Sequence, residues 1–170
     1  MSDQWRNRIT GHGEEAPDQL LANPRNWRIH PRAQQDALAG LLDQVGWVQD
    51  VIVNRRTGHV VDGHLRVSLA ISRDERTIPV VYVDLDEAEE ALVLASLDPL
   101  AGMAVTDNEV LRELIAGADA ASEALQAMLA AAVKPGAAVE APDAFPSYDE
   151  NIETMYRCPS CGYEWSGKPS

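Results

Sequence analysis

No apolar run in these 170 residues approaches the ~20 needed to cross a bilayer, so a membrane-spanning protein is not expected. The first six residues, Met-Ser-Asp-Gln-Trp-Arg, lack the charged-then-apolar pattern of a secretory signal, and the expected compartment is the cytoplasm. Cysteine is scarce. Cys158 and Cys161 are the only two, in one Cys-x-x-Cys, which argues against a disulfide framework. There is no Walker sequence, no serine-nucleophile pattern and no paired-histidine metal motif. No repeat with a period of 20–50 residues is visible.

An excess of positive charge is also missing. Fourteen Lys and Arg face 27 Asp and Glu, for a net charge of −13. The imbalance is local: residues 1–76 hold ten basic and ten acidic residues, so residues 77–170 hold the remaining four and seventeen. A protein that grips DNA along a broad face is usually basic over that face. Any contact with DNA should therefore be local and lie in the first half.

An apolar fraction of 45% is that of a globular chain with a buried core. Residues 1–22 are polar and weakly patterned and read as a flexible arm. Two prolines and three arginines fall in residues 23–32, Asn-Pro-Arg-Asn-Trp-Arg-Ile-His-Pro-Arg, an extended or looped segment. It is either a surface loop anchored by Trp27 or a basic loop lining an anion site. Apolar spacing then predicts a helix over 34–45, with Gly46 as its stop. Strands are expected at 51–53 and 60–61, joined by a turn over 55–58. A helix follows over 64–72, then a strand over 79–84. A helix that opens in acidic residues at 86–90 should end near Leu97, before Pro99. Two more helices are expected, over 107–115 and 122–133. Residues 134–147 are rich in Pro and Ala and read as a linker.

The most informative stretch is Asp62-Gly63-His64-Leu65-Arg66, where a β-branched run turns straight into a helix. Such a turn points free N–H groups and the positive end of the helix dipole outward, toward a phosphate or carboxylate. Arg66 adds a planar cationic fork in the first helical turn, where positive charge is mildly unfavourable to the helix itself. Arg25 and Arg28 are candidates to converge on the same place. His64 can donate to an anion or serve as an acid or base. Asp62 can bind Mg²⁺ or orient His64. The plain alternative is a turn in which Gly63 only relieves backbone strain and Asp62 is ordinary turn chemistry.

Cys158-Pro-Ser-Cys161-Gly162 has the form of a zinc knuckle, but a tetrahedral structural site needs four ligands. A second copy of the chain could supply the other two. Free thiols in a degenerate ribbon are the next reading, and a redox pair follows. Tyr163 and Trp165 could form the aromatic side of a small hairpin.

The ordered set of Asn23-Pro24-Arg25, Val45-Gly46-Trp47, Thr57-Gly58, Asp62-Gly63-His64-Leu65-Arg66 and Ile78-Pro79-Val80-Val81-Tyr82-Val83-Asp84 resembles the ParB-like N-terminal domain. That fold is shared by partition proteins, sulfiredoxin and small ParB-like proteins of phages and mobile elements that carry the name nuclease. The likeness is nearest the phage-type branch, where such a domain stands alone or precedes a DNA methyltransferase. The likeness covers roughly residues 20 to 100 and implies an α/β fold there, a small mixed sheet with helices over 23–100; the residues beyond read as a helical subdomain over 101–133 and a zinc-ribbon-like tail over 148–170.

The resemblance also implies a nucleotide, CTP or ATP with Mg²⁺, on the Gly63 turn, with Asn23, Arg25, Arg28, Gly63, His64 and Arg66 as its binding residues. A nuclease or nucleotide hydrolase would use Asp62 and His64. A non-catalytic adaptor of a DNA methyltransferase or packaging complex would use the acidic half as a docking surface and dimerise through the tail, with zinc on Cys158 and Cys161. The partition form of the turn reads Gly-Glu-Arg-Arg, and only Gly63 and Arg66 persist here. The partition motif Glu-Asn-x-x-Arg is replaced by Ala95-Ser96-Leu97-Asp98-Pro99, which counts against metal-dependent CTP hydrolysis of the partition kind. No cysteine precedes Cys158, so sulfiredoxin chemistry is excluded.

Overall fold

The computed structural model describes residues 4–133, together with the backbone of residues 156–157 and 164–165. The chain divides into two compact units, Met1–Val139 and Glu140–Ser170. The first unit is built on a four-stranded mixed sheet in the order β1-β4-β2-β3, formed by Ile9–Glu15 (β1), Val51–Asn54 (β2), Val60–Asp62 (β3) and Ile78–Val83 (β4). Its helices are Arg32–Val45 (α1), His64–Ser72 (α2), Glu87–Gly102 (α3), Asn108–Ala116 (α4) and Glu123–Ala132 (α5).

The pairings explain the layout. β2 and β3 are antiparallel neighbours joined by the 55–58 turn, where Gly58 takes φ 71°. β2 and β4 run parallel, with Val51 opposite Val80 and Val53 opposite Tyr82. A parallel pair needs a crossover, and α2 supplies it. Val51, Val53, Val60, Val67, Ala70, Ile78 and Val80 form the core between the sheet and α2. Every one of these sheet residues is β-branched, which suits a pleated buried surface. The core therefore packs directly behind the β3–α2 turn.

Three expectations are corrected. Residues 9–15 are not an arm but strand β1, antiparallel to β4, with His12 opposite Val81. Ile9 is its only apolar residue, so no alternation marked it; it is held by main-chain bonds to an edge. A Cβ on Gly13 would lie 3.2 Å from the Tyr82 ring, so the bare glycine lets the ring cross the strand.

Second, α3 does not stop before Pro99 but runs through it to Gly102. Pro99 lacks the hydrogen that would bond the Ala95 carbonyl, and near a helix end that single loss is tolerated. The helix starts on a reciprocal capping box between Asp86 and Glu89.

Third, the proposed boundary at 100/101 falls inside α3, and the helices beyond it are not a separate subdomain. α5 packs against α1 so closely that a Cβ on Gly40 would sit 2.5 Å from Ser122 Cβ. Gln44 ties the approach by accepting from Ala121 N–H at 2.9 Å.

In the second unit, Tyr156–Arg157 (β5) pairs antiparallel with Glu164–Trp165 (β6). Cys158 and Cys161 fall between these strands, and they and the linker lie outside the described residues. Among the described residues no helix is long and apolar enough to cross a membrane.

Candidate functional site

The β3–α2 junction turns through Gly63, which adopts φ 96° and ψ 15°. That left-handed conformation is open to glycine at no steric cost. Space demands glycine too: a Cβ here would meet Val51 Cγ2 at 3.0 Å and Arg66 Nη2 at 3.1 Å. No side chain caps the helix that follows. Its first internal bond runs from Val67 N–H to the Gly63 carbonyl at 3.0 Å, so the N–H groups of His64, Leu65 and Arg66 have no acceptor within the helix.

These groups border a cavity of about 150 Å³ lined by Arg28, His30, Gln34, Asp62, Gly63, His64, Arg66 and Asp98, among others. A second cavity of about 310 Å³ shares Arg28, His30, Gln34 and Asp98 with the first and adds Trp27 and Ile29. Trp27 is more than half exposed, and its ring is anchored by the Nε1–H bond to the Leu94 carbonyl at 3.1 Å. Arg28 Cζ lies 5.9 Å from the Trp27 ring centroid.

The charges at the site are paired. Asp62 accepts from Arg28 Nη1 at 3.1 Å on one oxygen and from Arg66 Nη2 at 2.9 Å on the other. Arg28 also bonds Asp98 through Nε. Arg66 donates further to Gln49 Oε1 at 3.0 Å and the Asp50 carbonyl at 3.4 Å. Two guanidinium groups therefore face two carboxylates, and the site carries little net charge. Hydrogen-bond capacity is nevertheless left over: Arg28 Nη2, Arg66 Nε and His64 Nδ1 are buried and have no partner. Buried polar groups are usually satisfied, so three spare nitrogens at one turn need an explanation.

His64 accepts the Asn23 N–H on Nε2 at 3.3 Å. Burial, and then the Arg28 guanidinium, push the imidazole below its ordinary pKa, against the opposing pull of Asp62. Asn23 is itself buried and donates from Nδ2 to Glu90 Oε1 at 2.9 Å. The other Glu90 oxygen accepts from Asn54 Nδ2 at 2.5 Å and Thr57 Oγ1 at 2.7 Å. Burial raises the Glu90 carboxyl, but these three donors outweigh it and hold the group below its usual value.

Of the expected site residues, Arg28, Asp62, Gly63, His64 and Arg66 are thus brought together around one cavity. Asn23 stands behind His64. Arg25 does not line the cavity; it is exposed and lies 3.6 Å from Glu87. Cys158 and Cys161 lie outside the described residues.

No protein-family model matches the chain, and no curated protein matches it. A solved structure does: the C-terminally truncated chromosome-partitioning protein ParB from Caulobacter crescentus, complexed with CTP-γ-S, with a TM-score of 0.50 and 20% identity. The fold is ParB-like. The match covers 62% of this chain and 60% of the Caulobacter chain, so this chain accounts for less than two thirds of that length. A Pnob8-like ParB-N domain aligns at a TM-score of 0.47 and 12% identity, over 66% of this chain and 48% of that one.

Two residues of the ParB-like domain's site went unmarked in the sequence. In the sequence Glu90 is one more acid in a first helical turn, where the dipole favours it, yet it shares a buried face with Leu94. That i, i+4 pairing with leucine was the available signal. Asp98 stands in the sequence only where a motif is missing, and its bond to Arg28 depends on α3 continuing past Leu97.

Asp62 and Asp98 are both engaged by Arg28, and no group of three or more His, Cys, Asp or Glu suited to a metal occurs among the described residues. Among the described residues, Asp62 and Asp98 therefore do not form a Mg²⁺ site on their own.

Proposed function

We propose that this protein binds a nucleotide through its phosphates at the Asp62–Arg66 turn and works beside DNA, in a phage or mobile-element setting. One observation supports the reading above the others. An uncapped helix N-terminus, two arginines and a histidine with unused donors meet at a cavity of about 150 Å³. Ligand pockets for drug-sized molecules run to about 300 Å³ or more, so this cavity suits a phosphate and not a whole nucleotide. The adjoining 310 Å³ space beside Trp27 has room for sugar and base. The Caulobacter ParB of similar fold was crystallised with CTP-γ-S, which makes CTP the first nucleotide to try. ATP is the second. Contact with DNA is proposed as local, through the charge-balanced first half.

A binding panel of CTP, ATP, GTP, UTP and inorganic triphosphate, with and without Mg²⁺, tests the reading. Micromolar binding of at least one nucleotide, lost in Arg66→Ala, is the expected result. No binding at about 1 mM ligand overturns it. The same panel, followed for turnover, decides whether Asp62 and His64 act catalytically. Nucleotide hydrolysis or plasmid cleavage that vanishes in His64→Ala and Arg66→Ala would make the protein an enzyme.

A second reading has its own observation. Leu92 and Leu100 on α3, Met103 and Val105 beyond it, and Val110 and Leu114 on α4 are all at least half exposed. Such an apolar surface is of the kind partner chains cover. The protein would then be an adaptor for a DNA methyltransferase or other phage protein, dimerising through its tail, with Zn²⁺ on Cys158 and Cys161. It predicts a stable complex on gel filtration with a co-encoded methyltransferase, and no turnover. Elemental analysis for zinc checks the tail.

A further inference from the structure

We infer that His64 meets its ligand as a neutral Nδ1–H imidazole, a fixed hydrogen-bond donor held in place by the Asn23 main chain and, through Asn23, by Glu90. The inference rests on the reading that an anion binds at the Gly63 turn.

A backbone N–H can only donate. Its bond from Asn23 to His64 Nε2 at 3.3 Å therefore requires a lone pair on Nε2. A neutral imidazole has one proton, which must then be on Nδ1. Nδ1 is buried and has no acceptor in the protein. The Asp62 carboxylate acts on the imidazole only through its charge; its hydrogen bonds go to Arg28 and Arg66. The missing acceptor is supplied by an anionic oxygen in the cavity that His64 lines.

The tautomer is not left to chance. Asn23 is 4% exposed and is held on two sides: its Oδ1 accepts from Arg25 N–H at 2.9 Å, and its Nδ2 donates to Glu90 at 2.9 Å. Glu90 is 1% exposed and is fixed in turn by Asn54 on β2 and Thr57 in the turn after it. A buried carboxylate that accepts from three neutral donors thus sets the height of the Asn23 amide against the imidazole. Glu90 and Asn23 are positioning residues. A histidine whose Nε2 is taken and whose Nδ1 is protonated has no free lone pair for a general base. His64 binds the anion and does not abstract a proton.

Long-range ¹H–¹⁵N NMR on the full-length, ¹⁵N-labelled protein near pH 7.5 reads the tautomer directly, with His64→Asn assigning the signal. A pyrrole-like Nδ1 and a pyridine-like Nε2 are expected in the free protein. The reverse pattern, or a charged ring, overturns the inference. This result needs no ligand, so it is independent of whether the anion reading holds.

Binding of inorganic triphosphate and CTP gives the second arm. An asparagine amide nitrogen falls near the place of Nδ1, and a glutamine amide nitrogen near that of Nε2. His64→Asn should stay within about threefold of the parent, while His64→Gln and His64→Ala lose about tenfold or more, as for a hydrogen bond to a charged group. Equal affinity in all three overturns the donor role.

Asn23→Ala cuts the link to Glu90 and keeps the main-chain amide. A mixed tautomer and weaker binding are expected. An unchanged His64 signal with unchanged affinity overturns the part assigned to Glu90.

Discussion

Arg66 donates to Asp62 at 2.9 Å, so the guanidinium beside the helix N-terminus is held by an acid one helical turn earlier in the chain. Asp62 also takes Arg28, and Arg28 takes Asp98. The arrangement orders both forks before any ligand arrives, but it cancels their charge. An incoming phosphate must compete with carboxylates already in place. Asp98 is half exposed and the less embedded of the two. Asp98→Asn should therefore tighten binding of CTP or inorganic triphosphate several-fold at low salt, and the gain should shrink as salt is raised. Calorimetric titration at two salt concentrations checks this. Unchanged or weaker binding would show that Asp98 does not oppose the anion.

Gly63→Ala meets two penalties at once. The backbone there has φ 96°, and the new methyl group would lie 3.0 Å from Val51 and 3.1 Å from the Arg66 guanidinium. A residue held in such a conformation costs on the order of 1–3 kcal/mol. Val51 is fully buried and cannot yield freely, whereas Arg66 can be pushed aside. The variant should unfold at lower urea by about that amount and lose nucleotide binding even where it remains folded. A variant of unchanged stability would mean the turn is not the one described.

How much of this was legible beforehand depended on which physical signal each part emits. β2, β3, β4 and α2 carry β-branched runs and helical apolar spacing, and each was placed to within a residue or two. The Gly63 turn was visible because Gly after a β-branched run and before a helical run has few other readings. β1 emits almost no signal: its residues are polar and small, and only the edge of β4 makes it a strand. Asp98 was hidden by a local rule, since Pro99 ordinarily ends a helix. The Asp62–Arg66 pair is a local i, i+4 contact, but the joining of Arg28 to Asp62 and Asp98 is a tertiary fact. Asp62, Asp98 and Arg28 are 34 to 70 positions from one another or share no helix face in the sequence, and no spacing announces their meeting.

Trp27 distinguishes a nucleotide from a bare phosphate. Its ring is exposed at the mouth of the larger cavity, and stacking of a base on an aromatic ring is worth on the order of 1–3 kcal/mol. Trp27→Ala should weaken CTP by about tenfold or more and leave inorganic triphosphate nearly unchanged. Equal losses for both ligands would place the base elsewhere.

The protonation of His64 gives a pH dependence with a definite sign. Its folded pKa is lowered, chiefly by burial and then by Arg28. As pH falls, the unfolded chain takes up this proton first. The contribution to stability is complete above the unfolded value of about 6.5 and is lost as pH drops through the folded value. Urea unfolding should therefore show lower stability at pH 5 than at pH 7.5. His64→Asn should flatten that difference, and an equal slope in both proteins would assign the effect to other groups.

The contact between α1 and α5 decides whether the C-terminal helices are part of the ParB-like body. Gly40 has no room for a methyl group, since Ser122 Cβ would be 2.5 Å and Ser122 Oγ 2.6 Å away. Ser122 is also the cap of α5, accepting from Leu125 N–H at 3.4 Å. Gly40→Ala should therefore push on the first turn of α5 and cost about 1–3 kcal/mol, as overpacking does. Ser122→Gly loses the cap but frees the space the methyl needs. Residues in contact couple by about 0.5–3 kcal/mol in a double-mutant cycle, so the double variant should be more stable than the two single losses added together. Strict additivity would mean that α5 does not rest on α1, and that the boundary expected near residue 100 is real after all.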